Sequence, residues 1–459
     1  MLKTSRTPLF VRDKQFYRTV LALALPMTLQ NVMHLLLNMM DTVMLGRMGE
    51  NSELYINAAN FANQPYFVYS LFHFGMVSGA SVLIAQYWGK DDKETINSIA
   101  GIAIIGATAI TFLFVAVCYA FTPQVLGLFT NSQPVIELGV KYLRIVLASY
   151  IMAALTALLC GVMRTTEQVT VPLVTNSIAI VMNIVLNYIL IFGKFGAPAL
   201  GIEGAAVATL LSRAVEFLMV LGYTAFFEKR IKLRIGKMLK IRKQMVKDFI
   251  RYSLPVICNE TLWGLGITIH SAVIGKMDDI SYAAYSVALV IQNIGVLAAM
   301  GFANAALIMI GKEIGAGRSE NAYPYAKTML ALSAIMGGIM SGVVYLIRNV
   351  SVGMFNISDA TREAAINIIL VMLLVILAKS INCTAVVGVI RGGGDTVTAM
   401  LCDFVPMYVF SIPLGFLAAH VIGLPVWWVY GCLLSDEFIK LIVCAIRIKS
   451  KKWIKNVTR

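Results

Sequence analysis

The sequence predicts an all-α membrane protein, with twelve transmembrane helices in two pseudo-symmetric six-helix bundles. Three observations carry this prediction. Hydrophobic residues make up 59% of the chain and charged residues only 14%, and the mean hydropathy is +0.78, outside the range of ordinary soluble domains. The chain also contains itself twice. Pro26, Gly46 and Met48 recur as Pro255, Gly275 and Met277 at an offset of 229. Gly75, Ala80, Ile84, Gly89 and Glu94 recur as Gly301, Ala306, Ile310, Gly315 and Glu320 at 226, and Gly161, Val162, Arg164, Gly196, Pro198 and Gly204 as Gly388, Val389, Arg391, Gly423, Pro425 and Gly431 at 227. Finally, the basic residues gather in segments that six spans per copy would place on one face of a membrane.

A span needs roughly 20 mainly apolar residues. Twelve such stretches run near 16–46, 54–80, 94–121, 135–161, 167–192 and 199–226, then 248–275, 281–310, 323–347, 361–389, 396–420 and 425–446. The first is long and leads straight into the repeat, so it reads as a retained helix rather than a cleaved signal. The expected organisation is a first lobe over 1–227, a basic linker over 228–247, and a second lobe with a basic tail over 248–459. Within the linker, Met238 to Arg251 reads as an amphipathic segment at the membrane interface. Pro26, Pro255, Pro406 and Pro413 mark candidate bends within spans.

The net charge is +14. Lys3, Arg6, Arg12, Lys14 and Arg18 lie at the amino end, ten bases between Lys229 and Arg251 at the linker, and Arg447, Lys449, Lys451, Lys452, Lys455 and Arg459 in the tail. Lys90, Lys93, Arg164, Lys312, Arg318 and Arg391 fall on the same side, while the opposite loops hold scattered bases such as Arg47, Lys194, Lys276 and Arg348. The positive-inside rule makes the basic side cytoplasmic, with both termini there and the chain multi-pass in the plasma (inner) membrane. The charge is expected to meet anionic lipid headgroups rather than nucleic acid. Cys118, Cys160, Cys258, Cys383, Cys402, Cys432 and Cys444 sit singly in apolar runs without a C-x-x-C pair and read as packing residues.

Polar residues within the spans are the functional signal, because an ionisable group at mid-bilayer costs roughly 2.5–3.5 kcal/mol on insertion scales. Asn31, His34, Asn38 and Asp41 are spaced three, four and three apart on one face of the first span. Asn176, Asn183 and Asn187 repeat the device on the fifth. If the stripes meet, Asp41 gains a carboxamide-lined pocket that can hold a proton or coordinate Na⁺ through oxygens; the plainer alternative is a hydrogen-bonded seam between two helices. In the second copy Glu260 stands where Asn31 does and His270 where Asp41 does, and Lys379, Asn382 and Asp403 complete the set. Lys379 reads either as the ion-pair partner of Glu260 or Asp403 or as a built-in cation competing with the coupling ion. His270 reads as a solvated residue near the end of its span. Arg164 and Arg391 close their spans and can hold helix-end carbonyls or a carboxylate. Gly392 to Gly394 lack a following Walker lysine and read as a hinge, not a phosphate cradle.

These residues resemble a known family. Pro26, Asp41-Thr42-x-Met44-x-Gly46 and Gly79-x-x-x-x-x-Ala85-Gln86-x-x-Gly89 are similar to multidrug and toxic-compound extrusion (MATE) transporters of bacterial type. So are Arg164, Pro172, Asn183 and Asn187 followed by Pro198-x-x-Gly201-x-x-Gly204-Ala205-Ala206-x-Ala208-Thr209. In the second copy the pattern Val389-Ile390-Arg391-Gly392-Gly393-Gly394-Asp395-Thr396, then Asp403 and Pro413, fits equally, so the resemblance covers nearly the whole chain. It implies a MATE/MOP-type fold of two six-helix lobes, and alternating-access antiport that exports small amphipathic, often cationic compounds against H⁺ or Na⁺. No cofactor is implied, and a single copy is expected to suffice. By resemblance Asp41 is the ion-binding carboxylate, with Asn38, Asn176, Asn183 and Asn187 around it, and Glu260 matches an acidic residue of some relatives' seventh helix. Asn31, His34, Met33 and Met44 are the candidates for the substrate cavity, methionine being adaptable there. Some members carry a second acid on the fifth helix where this chain has asparagine, Asn183 being nearest, and others a sodium-site aspartate near Ser380.

Two alternatives remain at this level. A lipid-linked sugar flippase of the same superfamily needs a strongly cationic cavity, for which Lys379 is the mid-span candidate. An intramembrane enzyme needs clustered ligands or a nucleophile–base pair, whereas His34, His73, His270 and His420 lie on four separate spans. A passive channel lacks its charged rings or filter motif.

Overall fold

The computed structural model describes residues 10–48, 52–233, 235–238, 241–355 and 357–458, with the side chains of Asn38 and Ile235 also outside the described residues. The apolar runs form helices α1 (Lys14–Leu45), α2 (Ser52–Gly89), α3 (Lys93–Ala120), α4 (Gln133–Thr165), α5 (Thr170–Phe192) and α6 (Ile202–Phe227). The second copy gives α7 (Lys243–Gly275), α8 (Asp279–Gly315), α9 (Ser319–Gly353), α10 (Asp359–Arg391), α11 (Thr396–Ile422) and α12, in two pieces, Val426–Leu433 and Asp436–Lys449. Among the described residues there is no strand, and ten helices are long and apolar enough to cross a membrane. The other two are polar or broken: α7 carries Asn259, Glu260 and His270, and α12 is interrupted at Leu434 and Ser435.

Local chemistry sets several helix ends. The Asp278 carboxylate accepts the Ser281 amide at 2.7 Å to start α8, and the Ser358 hydroxyl accepts the Thr361 amide at 3.2 Å to start α10. Gly193 ends α5 and Gly423 ends α11, both in the left-handed region that a Cβ disfavours. Wide turns, closing over five residues instead of four, occupy Thr384–Arg391 at the end of α10 and Pro406–Ser411 within α11. Pro406 has no N–H to donate, so a normal helical bond is missing where the second of these begins.

The chain forms two compact units. One comprises Leu29–Ala80 and Lys93–Ile250. Its core joins Met44, Leu45, Ala58, Tyr69, Tyr142, Tyr150 and Ile202. Beside it, a Cβ on Gly161 of α4 would lie 2.6 Å from Val77 Cγ1 of α2, so glycine is what lets these helices approach. The linker is ordered by Glu228, whose carboxylate accepts the amides of Arg230, Ile231 and Lys232 at 2.7, 3.0 and 2.7 Å. Of the interfacial segment expected from Met238 to Arg251, residues 239 and 240 lie outside the described residues, and 241 and 242 are not helical. A short helix, Ile235–Met238, packs on Gly101 of α3, and the residues from Lys243 are the first turns of α7.

The other unit comprises Met1–Thr28, Ser81–Asp92 and Arg251–Arg459. Its core gathers Ile274, Ala288, Ile291, Ile368, Ile369, Met372, Ile376 and Tyr430. The duplication is legible here in three dimensions. Gly388 of α10 packs on Ala303 and Ala306 of α8, and Ala303 is the repeat counterpart of Val77, so the Gly161 contact is made a second time. Gly89 packs on the main chain of Lys312 while Gly315 packs on that of Gln86, and Lys312 is the counterpart of Gln86. Residue i meets j and j meets i, the signature of a two-fold relationship. The counterparts Ala85 and Gly311 meet each other, with 2.7 Å between Ala85 Cβ and a Cβ placed on Gly311.

The basic tail belongs to this unit as a folded strap. Trp453 is fully buried, with its indole N–H on the Ile448 carbonyl at 3.1 Å, and the Lys455 amide donates to Gly393 O at 2.8 Å. Gln86 Oε1 accepts the Val457 amide at 2.8 Å, and its Nε2 donates to Lys455 O at 3.1 Å. Asp395 anchors the strap through Lys455 Nζ at 2.7 Å and Arg447 Nε at 2.8 Å. Burial alone would raise the Asp395 carboxyl; the bonds from Lys455 and Arg447 outweigh it and hold the group below the usual aspartate range.

Candidate functional site

The polar stripes of α1 and α5 meet inside the first-described unit. Asn187 Nδ2 donates to Asp41 Oδ1 at 2.6 Å and lies 2.9 Å from Asn183 Oδ1. Asn183 Nδ2 in turn reaches Ser212 Oγ of α6 at 3.3 Å. Asn183 and Asn187 are 3% and 1% exposed, whereas Asp41 is half-buried. Two to three turns away on the same stripe, Asn176 Nδ2 sits 3.3 Å from His34 Nε2 and donates to Glu216 Oε1 at 3.1 Å. Arg213 holds the other Glu216 oxygen at 3.0 Å. The i,i+4 geometry of α5 puts Asn183 and Asn187 on one face, and α1 presents His34 and Asp41 seven residues apart, so each helix brings two polar levels to the contact.

Asp41 supplies carboxylate oxygens, and the buried Asn187 Oδ1 has no hydrogen-bond partner, leaving a neutral oxygen next to the charged one. A proton needs only the carboxylate; Na⁺ is served by oxygens of both kinds. Of the cavity candidates, Met33 accepts the Ser177 hydroxyl at sulfur (3.3 Å), and Asn31 is partly exposed. Met44 instead packs in the apolar core beside Leu45 and Ala58, as an apolar side chain with no polar partner to gain should. The side chain of Asn38 lies outside the described residues. The polar residues of α6 were not predicted. Arg213 and Glu216, an i,i+3 pair inside an apolar run, were the signal available for them.

The second-copy residues also come together, but with different partners from those expected. Glu260 Oε1 accepts from Arg391 at 2.7 Å, so the arginine that closes α10 holds a carboxylate, and the wide turn at 384–391 positions it. Its counterpart Arg164 donates to Gln30 Oε1 at 3.3 Å, a neutral acceptor one residue before Asn31, the counterpart of Glu260. Asp403 receives Asn259 Nδ2 at 2.9 Å and Lys440 Nζ at 3.3 Å. The ion pair expected for Lys379 with Glu260 or Asp403 is therefore made by Arg391 and Lys440, and the Lys379 ammonium lies over the Trp263 ring, 5.8 Å from its centre. Asn382 donates to Glu437 Oε2 at 2.8 Å. His270 is 2% exposed, not solvated, because its side chain faces into the unit toward Lys379, Lys440 and Glu437. Asp436, Glu437 and Lys440 of α12 were missed altogether, although they fall in the middle of the expected span over 425–446, where acids and a base at i, i+1 and i+4 were the signal available.

Comparison with known proteins agrees with this architecture. The MatE family pattern matches residues 26–189 and 255–431, most of both copies. The chain is 23% identical over 440 residues to a "Probable multidrug resistance protein NorM" of Thermotoga maritima, covering 96% of this chain and 93% of that one. It is 23% identical over 435 residues to a "Probable multidrug resistance protein YoeA" of Bacillus subtilis, covering 94% and 93%. Among solved structures, one described as "Outward-facing conformation of a multidrug resistance MATE family transporter of the MOP superfamily" superposes with a TM-score of 0.85 at 18% identity, over 96% of this chain and 99% of that one. A MOP superfamily transporter from Pyrococcus furiosus superposes with the same score, identity and coverage. A duplicated twelve-helix chain with this fold, matched by the family pattern over both copies, belongs to the MatE family of membrane transporters.

Proposed function

We infer that the protein is a secondary active exporter, driving small amphipathic, often cationic compounds out of the cell in exchange for H⁺ or Na⁺ by alternating access. The observation that carries this reading is a half-buried carboxylate, Asp41, held at 2.6 Å by Asn187 inside an apolar helix. Ionised and unpaired with a cation, such a group is costly in a membrane; loaded, it is neutral. Loading and release therefore change the free energy of whichever conformation exposes it, which is how an ion gradient biases a two-state transporter. The multidrug-resistance names of the relatives support the substrate class. The basic linker and tail support a plasma-membrane topology with both termini cytoplasmic, and a single chain carries both repeat copies, so a monomer suffices.

The test is export of ethidium from cells and from vesicles of the purified protein, with a pH gradient and a Na⁺ gradient imposed separately. Export driven by one of the two supports the reading and names the ion. Facilitated equilibration that neither gradient can push uphill contradicts it.

A further inference from the structure

The charges of the second-copy site, all buried except the half-buried Asp403 and Lys379, do not balance. Four carboxylates, Glu260, Asp403, Asp436 and Glu437, face three cations, Arg391, Lys440 and Lys379. Glu260 is neutralised by Arg391. Lys440 then serves three acids at once, lying 2.8 Å from Asp436, 3.3 Å from Asp403 and 3.7 Å from Glu437. Lys379 is turned toward Trp263. With every group ionised the cluster keeps one negative charge in surroundings where Asp436 and Lys440 are fully buried. Other titratable groups face it from each packed helix: His270 on α7, Cys383 on α10, Cys402 on α11 and Cys444 on α12. None of these adds a positive charge when neutral.

A second observation points to what compensates the surplus. Asp436 Oδ1, Asn382 Oδ1 and Asn259 Oδ1 are buried acceptors without a hydrogen-bond partner, and both asparagines already give their amide hydrogens to the cluster. Acceptors are in excess and a donor is lacking. A metal cation is disfavoured because the Lys440 ammonium already fills the centre of the oxygen cage, at ion-pair distance from all three acids.

We propose that the Asp436–Glu437 pair on α12 is a second proton-carrying station, separate from Asp41, taking one H⁺ to convert a carboxylate to a carboxylic acid and bringing the cluster to zero net charge. The added O–H is the donor that the unpartnered acceptors lack. The neighbouring Lys440 holds Asp403 and the acid of the pair that stays ionised, while Arg391 holds Glu260. In transport this role rests on the ion-driven reading above, but the protonation itself does not.

Infrared difference spectroscopy of the purified full-length protein across a pH titration, in H₂O and D₂O, reads protonated carboxyl groups directly. The expected result is a carboxylic-acid band that survives Asp41→Asn, and is lost or displaced in Asp436→Asn or Glu437→Gln. Lys440→Met removes a cation and is expected to make the same band persist to higher pH, which keeps the test open if either acid variant fails to fold. The proposal is overturned if no such band exists besides that of Asp41, if it disappears only in Glu260→Gln, or if Lys440→Met leaves its titration in place. Loss of the band with intact ethidium export would sink the transport role of the station and leave the exporter reading standing.

Discussion

Asn187 gives its side-chain amide to Asp41 at 2.6 Å and is itself 1% exposed, so the carboxylate is held by a group that has no freedom to leave. Hydrogen bonds to charged groups contribute about 1.5–3 kcal/mol. Asn187→Ala should remove that hold while keeping the helix, because alanine is the best helix former. The expected outcome is normal membrane expression with ethidium export reduced at least about tenfold, the factor that about 1.4 kcal/mol corresponds to. Export at the parental rate would show that Asp41 needs no positioning.

Glu260 and Arg391 form a buried pair, the arginine being 1% exposed. Removing one partner of such a pair typically costs about 3–5 kcal/mol, since the other charge is left uncompensated. Glu260→Ala should lower the thermal unfolding midpoint in detergent markedly. Glu260→Gln keeps an acceptor oxygen for Arg391 and should be milder in stability, while still impairing export.

Gly315 packs against the main chain of Gln86, and Gly89 against that of Lys312. Backbone cannot turn aside as a flexible side chain can. Gly315→Ala and Gly89→Ala should each destabilise the protein by about 1–3 kcal/mol, as overpacking does. Because the two contacts are reciprocal copies, the pair of effects should be similar in size. Thermal unfolding of both variants checks this, and a neutral result at either position would argue against the two-fold contact.

The strap at the carboxyl end should be acid-sensitive. Burial pushes the Asp395 carboxyl up, but its bonds to Lys455 and Arg447 hold it below the ordinary aspartate value. A carboxylate whose folded value is depressed contributes stability above its unfolded value and loses it as pH falls through the folded one. Limited proteolysis of the tail should therefore be slow at neutral pH and accelerate in acid, and Asp395→Asn should be cleaved quickly at neutral pH as well.

Most of the fold was legible in the sequence because its signals are long. An apolar run of some 25 residues and a register that holds across half a chain survive local noise, and most helices begin and end within a few residues of the expected limits, although α2 runs on past residue 80 to Gly89 and α9 past 347 to Gly353. The stripes of α1 and α5 were also legible, since polar residues at three- and four-residue spacing in such runs share a face, and Asp41 and Asn187 do meet. The partners across helices were not legible. Nothing in the spacing along α10 says that Arg391 reaches Glu260, or that Lys440 rather than Lys379 holds Asp403; those choices depend on wide turns and helix rotations set by packing. Asp436, Glu437 and Lys440 lie mid-way along the expected last span, a signal open to sequence reading, but only the fold reveals that they are buried and which acids Lys440 serves.

Cation exchange at Asp41 is what drives export in the proposed mechanism. The most direct measurement is ethidium transport by Asp41→Asn in vesicles under an imposed ion gradient, alongside a check that the variant folds and inserts as the parent does. Uphill export should be abolished while the protein remains intact; a variant that still moves the dye against its gradient would rule out Asp41 as the coupling group.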